Sequence, residues 1–271
     1  MKEHKEEFQT NLKSWDSVVP IHESSDFYDV EGFKAGKCSL SEIEKEEVGN
    51  LNDKSLLHLQ CHFGMDTLSW ARRGATVTGV DFSPKAVELA KSLAENLNID
   101  ANFICSNLYE VESKLNQEFD VVFTSQGALC WLPNIKKWGR IAARYIKPGG
   151  FLYVYEGHPI LDIFESDGDI DSYDVRYNYF QDTGQRWESE GTYADRDADI
   201  KNVTYQWTHP LSSIINALIS AGLVIEFVHE FPFNFYPHFS FLKEDDKGRW
   251  WPKDDEHKIP MSFSIKASKP V

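Results

Sequence analysis

The strongest constraint on this chain is an alternation running from about Leu56 to Gly157, in which short apolar runs are separated by amphipathic segments. The apolar runs read SLLHLQC, TVTGVD, ANFICS, FDVVFTS and FLYVYEG. They are nearly continuous in apolar residues, which is the pattern of strands buried on both faces. Between them, MDTLSWARR stops at Gly74, a natural residue just past a helix end. SPKAVELAKSLAENL opens with Ser83 as N-cap and Pro84 at the first helical position. PNIKKWGRIAARYIKPGG places Ile135, Trp138, Ile141 and Tyr145 on one helical face and ends at Pro-Gly-Gly. Strands and helices in this order predict a parallel sheet covered on both sides by helices.

The flanks read differently. In residues 1–50, Phe8, Leu12 and Trp15 fall at helical spacing, and SLSEIEKEEVG opens with a capping-box pattern from Ser39 to Glu42. Residues 158–209 are aromatic and charged, with turn signals at SDGD and DTGQ; VRYNYF and RWESEGTYA resemble antiparallel strands. PLSSIINALISAG then predicts a helix, LVIEFVHEF a strand and MSFSIKAS a last strand. The loop between those two strands contains FPFNFYPHFSF, far more aromatic than a surface connection requires. The expected organisation is one structural unit. A cap over 1–50 precedes an α/β domain over 51–271, with an insertion at 158–209 and an aromatic loop at 231–258 as substrate cover.

Composition narrows the function classes. Forty-three acidic residues against 28 basic ones give a net charge of −15, which opposes binding to a polyanion and predicts no nucleic-acid partner. No apolar run approaches a membrane span, and the N-terminus lacks the apolar core of a secretory signal. Cys38, Cys61, Cys105 and Cys130 are far apart and form no CxxC pair, which fits a reducing cytoplasm without a disulfide scaffold. His58 and His62 have HxxxH spacing but span a strand end and its loop, so no metal is assigned.

In a parallel α/β sheet, ligands bind beyond the carboxyl ends of the strands, beside the first one. The stretch there is LHLQCHFG, Leu57 to Gly64. It holds a single glycine, and it lacks both the G-x-G-x-x-G needed to approach a pyrophosphate and the GK[ST] of a P-loop. Asp81 ends the second strand 17 residues after Gly64, where a carboxylate can accept hydrogen bonds from a ribose diol. As a plain structural residue it would be a turn or cap aspartate before Ser83-Pro84.

Taken in order, residues 56–157 and the end strands resemble a class I S-adenosylmethionine-dependent methyltransferase of the small-molecule type. LHLQCHFG lies where that family commonly has acid-x-Gly-x-Gly-x-Gly. VTGVDFSPKAVELAK resembles its ribose-binding strand end, ICSNLYEV its adenine-binding segment, FDVVFTSQGALCWLPN its motif after the fourth strand, and IKPGGFLYVYE its fifth strand. The resemblance implies a doubly wound, mostly parallel seven-stranded sheet with an antiparallel last strand, and an antiparallel β insertion after strand five. It implies S-adenosylmethionine as cofactor. Gln60, Cys61, His62, Gly64, Asp66 and Thr67 would surround the methionine part. Asp81, Phe82 and Ser83 would meet the ribose and flank the adenine, with Ser106, Asn107 and Leu108 on the adenine side. Ser125, Gln126 and Gly127 would close the far side, and Phe27, Tyr28 and Phe33 would cover the cofactor from the N-terminal segment. His58 stands where the family has an acid, and is expected to be a core histidine.

Methyl transfer runs largely on positioning and desolvation, with a base to take the acceptor's proton. His62, His158 and His238 are the candidate bases. The expected reaction is transfer of a methyl group to oxygen or nitrogen of a small molecule in the cytoplasm, without a nucleic-acid or membrane partner. The alternatives are a dinucleotide-dependent oxidoreductase and a cofactor-binding module without turnover.

Overall fold

The central apolar runs become strands in a computed structural model of the chain, which describes residues 4–165, 172–181, 183–252 and 259–271. The strands are β1 (Ser55–Leu59), β2 (Thr76–Asp81), β3 (Ala101–Cys105), β4 (Phe119–Ser125) and β5 (Ile146–Gly157). Helices α4 (Met65–Arg72), α5 (Pro84–Asn96) and α6 (Ile135–Tyr145) alternate with them. Further along come β6 (Gln185–Glu190), β7 (Lys201–Gln206), α7 (Leu211–Ser220), β8 (Val224–Phe231), β9 (Leu242–Glu244), β10 (Trp250–Pro252) and β11 (Ser262–Ser268). The N-terminal segment forms α1 (Lys5–Ser24), α2 (Val30–Lys34) and α3 (Glu42–Val48).

Seven strands make the main sheet in the order β3-β2-β1-β4-β5-β11-β8. β1 runs parallel to β2 and β4, and β11 runs antiparallel to both β5 and β8. The sheet is therefore doubly wound and mostly parallel with an antiparallel last strand, as expected from the sequence. The chain reverses its direction of winding between β1 and β4, which opens a crevice at their carboxyl ends.

The period-two geometry of a strand divides β1 between two cores. Leu57 and Leu59 pack with Trp138, Ile141 and Leu218 from α6 and α7. Leu56 faces the other way, with Trp70 of α4, Phe123 and Tyr153. Burying side chains of this size contributes about 1.5–3 kcal/mol each, so a one-residue slip of β1 would forfeit both faces at once.

Three local expectations change. Helix α3 is capped by Ser41 and not Ser39. The Ser41 hydroxyl accepts from the Glu44 N–H at 3.2 Å while Glu44 Oε2 accepts from the Ser41 N–H at 2.8 Å. Two overlapping Ser-x-x-Glu patterns compete, and Ser39 is held instead by a 3.0 Å contact to Ser69 Oγ. In the insertion, RWESE forms β6, but its antiparallel partner is KNVTYQ, β7, and not VRYNYF, which makes one isolated bridge through Val175 to Phe164. The aromatic loop divides its side chains. Phe239, Phe241 and Leu242 join Leu161, Phe164 and Met261 in a small core, while Phe235, Tyr236, Pro237 and His238 line a cavity. The SDGD turn, the first residue of DTGQ and the end of the aromatic loop lie outside the described residues.

The N-terminal segment reaches the crevice by docking on the insertion. The Asn11 side chain donates to the Tyr205 carbonyl at 2.8 Å and accepts the Tyr205 N–H at 2.7 Å, completing the outer edge of β7. Among the described residues, no helix is long and apolar enough to cross a membrane.

Candidate active site

Five residues connect β1 to α4, and alternate ones are left-handed: Gln60 at φ 61°, His62 at φ 49° and Gly64 at φ 79°. The backbone keeps conformations that suit glycine although two of the three positions carry side chains. Such a conformation costs of order 1–3 kcal/mol for a residue with a Cβ. Contacts offset it here. Gln60 Nε2 donates to the Ala128 carbonyl at 2.7 Å, and His62 Nε2 lies 3.1 Å from His22 Nδ1 on α1. Gly64 admits no such replacement, because a Cβ there would stand 2.6 Å from the Phe103 ring.

Asp81 sits at the carboxyl end of β2, where its Oδ2 accepts the His62 N–H at 2.8 Å and its Oδ1 accepts the Ser83 N–H at 2.9 Å. Burial pushes its carboxyl up to about 6, against the pull of those amide bonds. The ordinary structural role, holding the turn before α5, and a ligand-facing role therefore coexist in one side chain.

These elements surround a cavity of about 1070 Å³, as large as the upper end of single-ligand pockets (~300–1,000 Å³). Its floor is Gln60, Cys61, His62, Gly64 and Asp66 from the β1 turn, with Asp81 and Phe82 from β2. Ser106, Asn107 and Leu108 follow β3, and Ser125, Gln126 and Gly127 follow β4. Phe27, Tyr28 and Phe33 reach it from the N-terminal segment. Two expected contact residues lie behind this wall. Thr67 bonds His58 under the floor at 2.9 Å, and Ser83 caps α5 while its hydroxyl donates to Asp16 at 2.5 Å. Asn107 Oδ1 already accepts the Tyr109 N–H at 2.9 Å, which leaves it one lone pair.

His58 behaves as a buried, neutral histidine whose pKa is lowered to about 3 by burial. Its Nε2 lies 3.4 Å from Ser125 Oγ, and that hydroxyl donates to Asp66 Oδ2 at 3.2 Å. A carboxylate thus reaches this end of the cavity from the first turn of α4. Glu44 stands near it, and burial together with the Asp66 charge pushes its carboxyl up to about 8.

The three candidate bases occupy different settings. His62 is packed in an aromatic cluster with His22, Tyr28, Phe63 and Trp15, and burial holds it well below its usual pKa. His158 lines the cavity, but its Nδ1 accepts the Ile160 N–H at 3.1 Å and its Nε2 faces Glu230 at 3.0 Å. Both ring nitrogens are engaged in holding the chain after β5. His238 is also neutral, its pKa lowered to about 4 by burial, and its Nδ1 lies 2.6 Å from the Tyr236 hydroxyl. Tyr236 and His238 line the same end of the cavity.

Sequence reasoning missed several lining residues. Glu156 ends β5 and accepts the N–H groups of Gly127, Ala128 and Leu129 at 2.5, 2.7 and 3.0 Å, which shapes the turn after β4. Asp162 follows one turn later. Both carry the signal that selected Asp81, an acid at or just beyond the carboxyl end of a buried strand. Trp15, His22 and Tyr193 carry no local signal. They arrive because α1 and the insertion fold over the crevice, where the Tyr28 and Tyr193 hydroxyls meet.

Residues 57–154 match the family described as "Methyltransferase domain". A ubiquinone biosynthesis O-methyltransferase from Coxiella burnetii is 33% identical over 108 residues, covering 40% of this chain and 45% of that protein. Residues 57–154 are therefore a methyltransferase domain of the class I S-adenosylmethionine-dependent kind. Its fold matches that of such a methyltransferase from Clostridium acetobutylicum with a TM-score of 0.59 at 13% identity, over 97% of this chain and 99% of the other. A methyltransferase from Mesorhizobium loti gives 0.57 at 18% identity, over 86% and 99%. The matched stretch runs from β1 to β5, the segment that supplies the cavity floor. It spans about half the length of the O-methyltransferase relatives.

Proposed function

We propose that this methyltransferase transfers the methyl group of S-adenosylmethionine to an oxygen or nitrogen of a small molecule. The observation that carries this reading is the joining of the β1 turn to Asp81 through the His62 N–H. It places a buried carboxylate beside a glycine-like turn at the cavity floor. Asp81 would receive the ribose hydroxyls, with Phe82 against the adenine. Ser106, Leu108 and the remaining lone pair of Asn107 would meet its edge. Asp66 would face the methionine ammonium, between Gln60 and Gln126. The side chains at Gln60 and His62 support a ligand without a pyrophosphate, since that group needs bare backbone at such positions.

The cofactor supplies an electrophilic methyl group; the protein supplies approach, dryness and a proton acceptor. When bound, S-adenosylmethionine would supply its methyl group to an acceptor lone pair and would leave as the neutral thioether. The acceptor's proton passes to the Tyr236 oxygen while the Tyr236 proton moves to His238 Nδ1. Residues 1–50, the insertion at 158–209 and the aromatic loop serve as the cover that excludes water. The net charge of −15 supports a reading without a nucleic-acid partner, and the free cysteines support a cytoplasmic one.

Calorimetry with S-adenosylhomocysteine and with NAD tests the core of this reading. S-adenosylhomocysteine is expected to bind and NAD is not; binding of NAD alone would return the chain to the oxidoreductases.

A further inference from the structure

The cavity has two ends, and their charge is one-sided. Among the described lining residues the single Lys or Arg is Lys37, and Asp29 holds it in an ion pair. Asp66, Asp81, Glu156, Asp162 and Glu244 line the same space. The lining histidines add no positive charge, because burial lowers every one of them. The cationic cofactor answers part of this excess, at the Asp66 and Asp81 end. At the other, Arg196 lies behind the lining, where it donates to the Pro237 carbonyl at 3.1 Å and its charge reaches Tyr236 and His238; no described Lys or Arg lines the cavity itself at that end.

At that other end the two acids differ in what they have left to give. Glu156 is saturated by three backbone amides. Asp162 is open to the cavity, with the Thr208 hydroxyl beside it and Glu156 as a repelling neighbour, and the enclosing wall pushes its carboxyl up to about 7. A cation placed against it relieves the repulsion from Glu156 and is attracted by both carboxylates. The surroundings are aromatic. The Tyr236 hydroxyl feels both Asp162 and Tyr193, and Trp15 joins Trp131 and Tyr193 at ring distances of 5.2 and 6.4 Å. Faces of this kind attract an ammonium that has left water. A separate observation comes from Asn234, which lines the cavity at 1% exposure and whose Nδ2 has no hydrogen-bond partner. Such a buried donor calls for an acceptor atom on the ligand.

We propose that the methyl acceptor is a small amine-bearing cation with an oxygen function elsewhere on its frame, its ammonium held by Asp162 beside Tyr193 and Trp131. The proposal builds on the methyltransferase reading and adds the substrate class. Asp162 is in this account the residue that selects for charge, and a carboxylate- or phosphate-bearing acceptor is rejected by the same field.

The test is a charge series on one frame: tyramine, 4-ethylphenol and 3-(4-hydroxyphenyl)propionate, extended with other amines and their neutral and carboxylate analogues. Binding is measured by calorimetry with and without S-adenosylhomocysteine, so the charge preference is read whether or not the cofactor product binds. Amines are expected to bind, neutral analogues more weakly and carboxylates not at all. Asp162→Asn is expected to weaken amine binding by about 10- to 100-fold, the worth of a hydrogen bond to a charged group. The same variant should keep wild-type affinity for S-adenosylhomocysteine, which also reports that it folds. No binding by any amine, equal binding by carboxylates, or amine affinity unchanged in Asp162→Asn would overturn the proposal. Failure of S-adenosylhomocysteine to bind the wild type strikes the methyltransferase reading instead.

Discussion

The backbone N–H of His62 donates to Asp81 Oδ2 at 2.8 Å, tying the turn after β1 to the carboxyl end of β2. One carboxylate thereby fixes the shape of the cavity floor and remains at its surface. Asp81→Ala is expected to weaken S-adenosylhomocysteine binding by about 1.5–3 kcal/mol, the worth of hydrogen bonds to a charged group. Calorimetry reads this directly, with circular dichroism to show that the fold persists. Unchanged affinity would reduce Asp81 to a turn residue.

Glu156 performs the corresponding task after β4, with three amides on one carboxylate. Glu156→Gln puts an NH2 group where an acceptor is needed and leaves at least one buried N–H without a partner. A loss of about 1–3 kcal/mol in folding stability follows, seen as a lower urea midpoint with an unchanged slope. If the midpoint does not move, water has replaced the carboxylate and the turn does not depend on it.

Tyr236 and His238 form the proposed proton path. Tyr236→Phe keeps the ring and removes the relay, so kcat with an oxygen acceptor should fall by about 100-fold or more while the KM for S-adenosylmethionine stays near wild type. A KM effect without a kcat effect would mean that Tyr236 binds substrate and moves no proton.

The ligand-free protein should lose stability as pH rises from about 6.5 to 8. Asp162 and Glu44 are raised to about 7 and 8, each chiefly by burial, with Glu156 facing the first and Asp66 the second. Across that window the folded protein holds protons that the unfolded chain has already released, so stability falls as they are lost, by up to about 1.4 kcal/mol per pH unit for buried Glu44 and by less for Asp162, which is open to the cavity. Below about 6.5 the buried histidines act in the opposite sense, because the unfolded chain takes up protons that His22, His58 and His238 refuse. Urea midpoints at pH 6.5 and 8 measure the effect, and Glu44→Gln should flatten it. A midpoint that rises with pH contradicts the raised pKa of these two acids.

Much of the cavity lining was readable because it follows a strand. Asp81, Gln60, Gly64 and Ser125 sit at strand ends, and in a parallel sheet strand ends converge on one edge. Glu156 and Asp162 were legible by the same rule and were passed over. Ser39 and Ser41 show the limit at short range: both begin a Ser-x-x-Glu pattern, and the choice between them rests on Ser69, thirty residues away. VRYNYF has the composition of a strand, yet β6 takes KNVTYQ as its partner, because that segment also receives Asn11 from α1 along its outer edge.

What the sequence determined by itself is the sheet, its helices and the edge at which the cavity opens. Those features depend on hydrophobic period and on caps, which act over a few residues. Only the tertiary structure decided how Gln60 and His62 stand in for glycine. Their left-handed backbone is held by Ala128, His22 and Asp81, partners scattered along the chain. It likewise decided that Asp162 opens into an aromatic cavity, since the surroundings of a residue are a property of what folds over it and not of the residue.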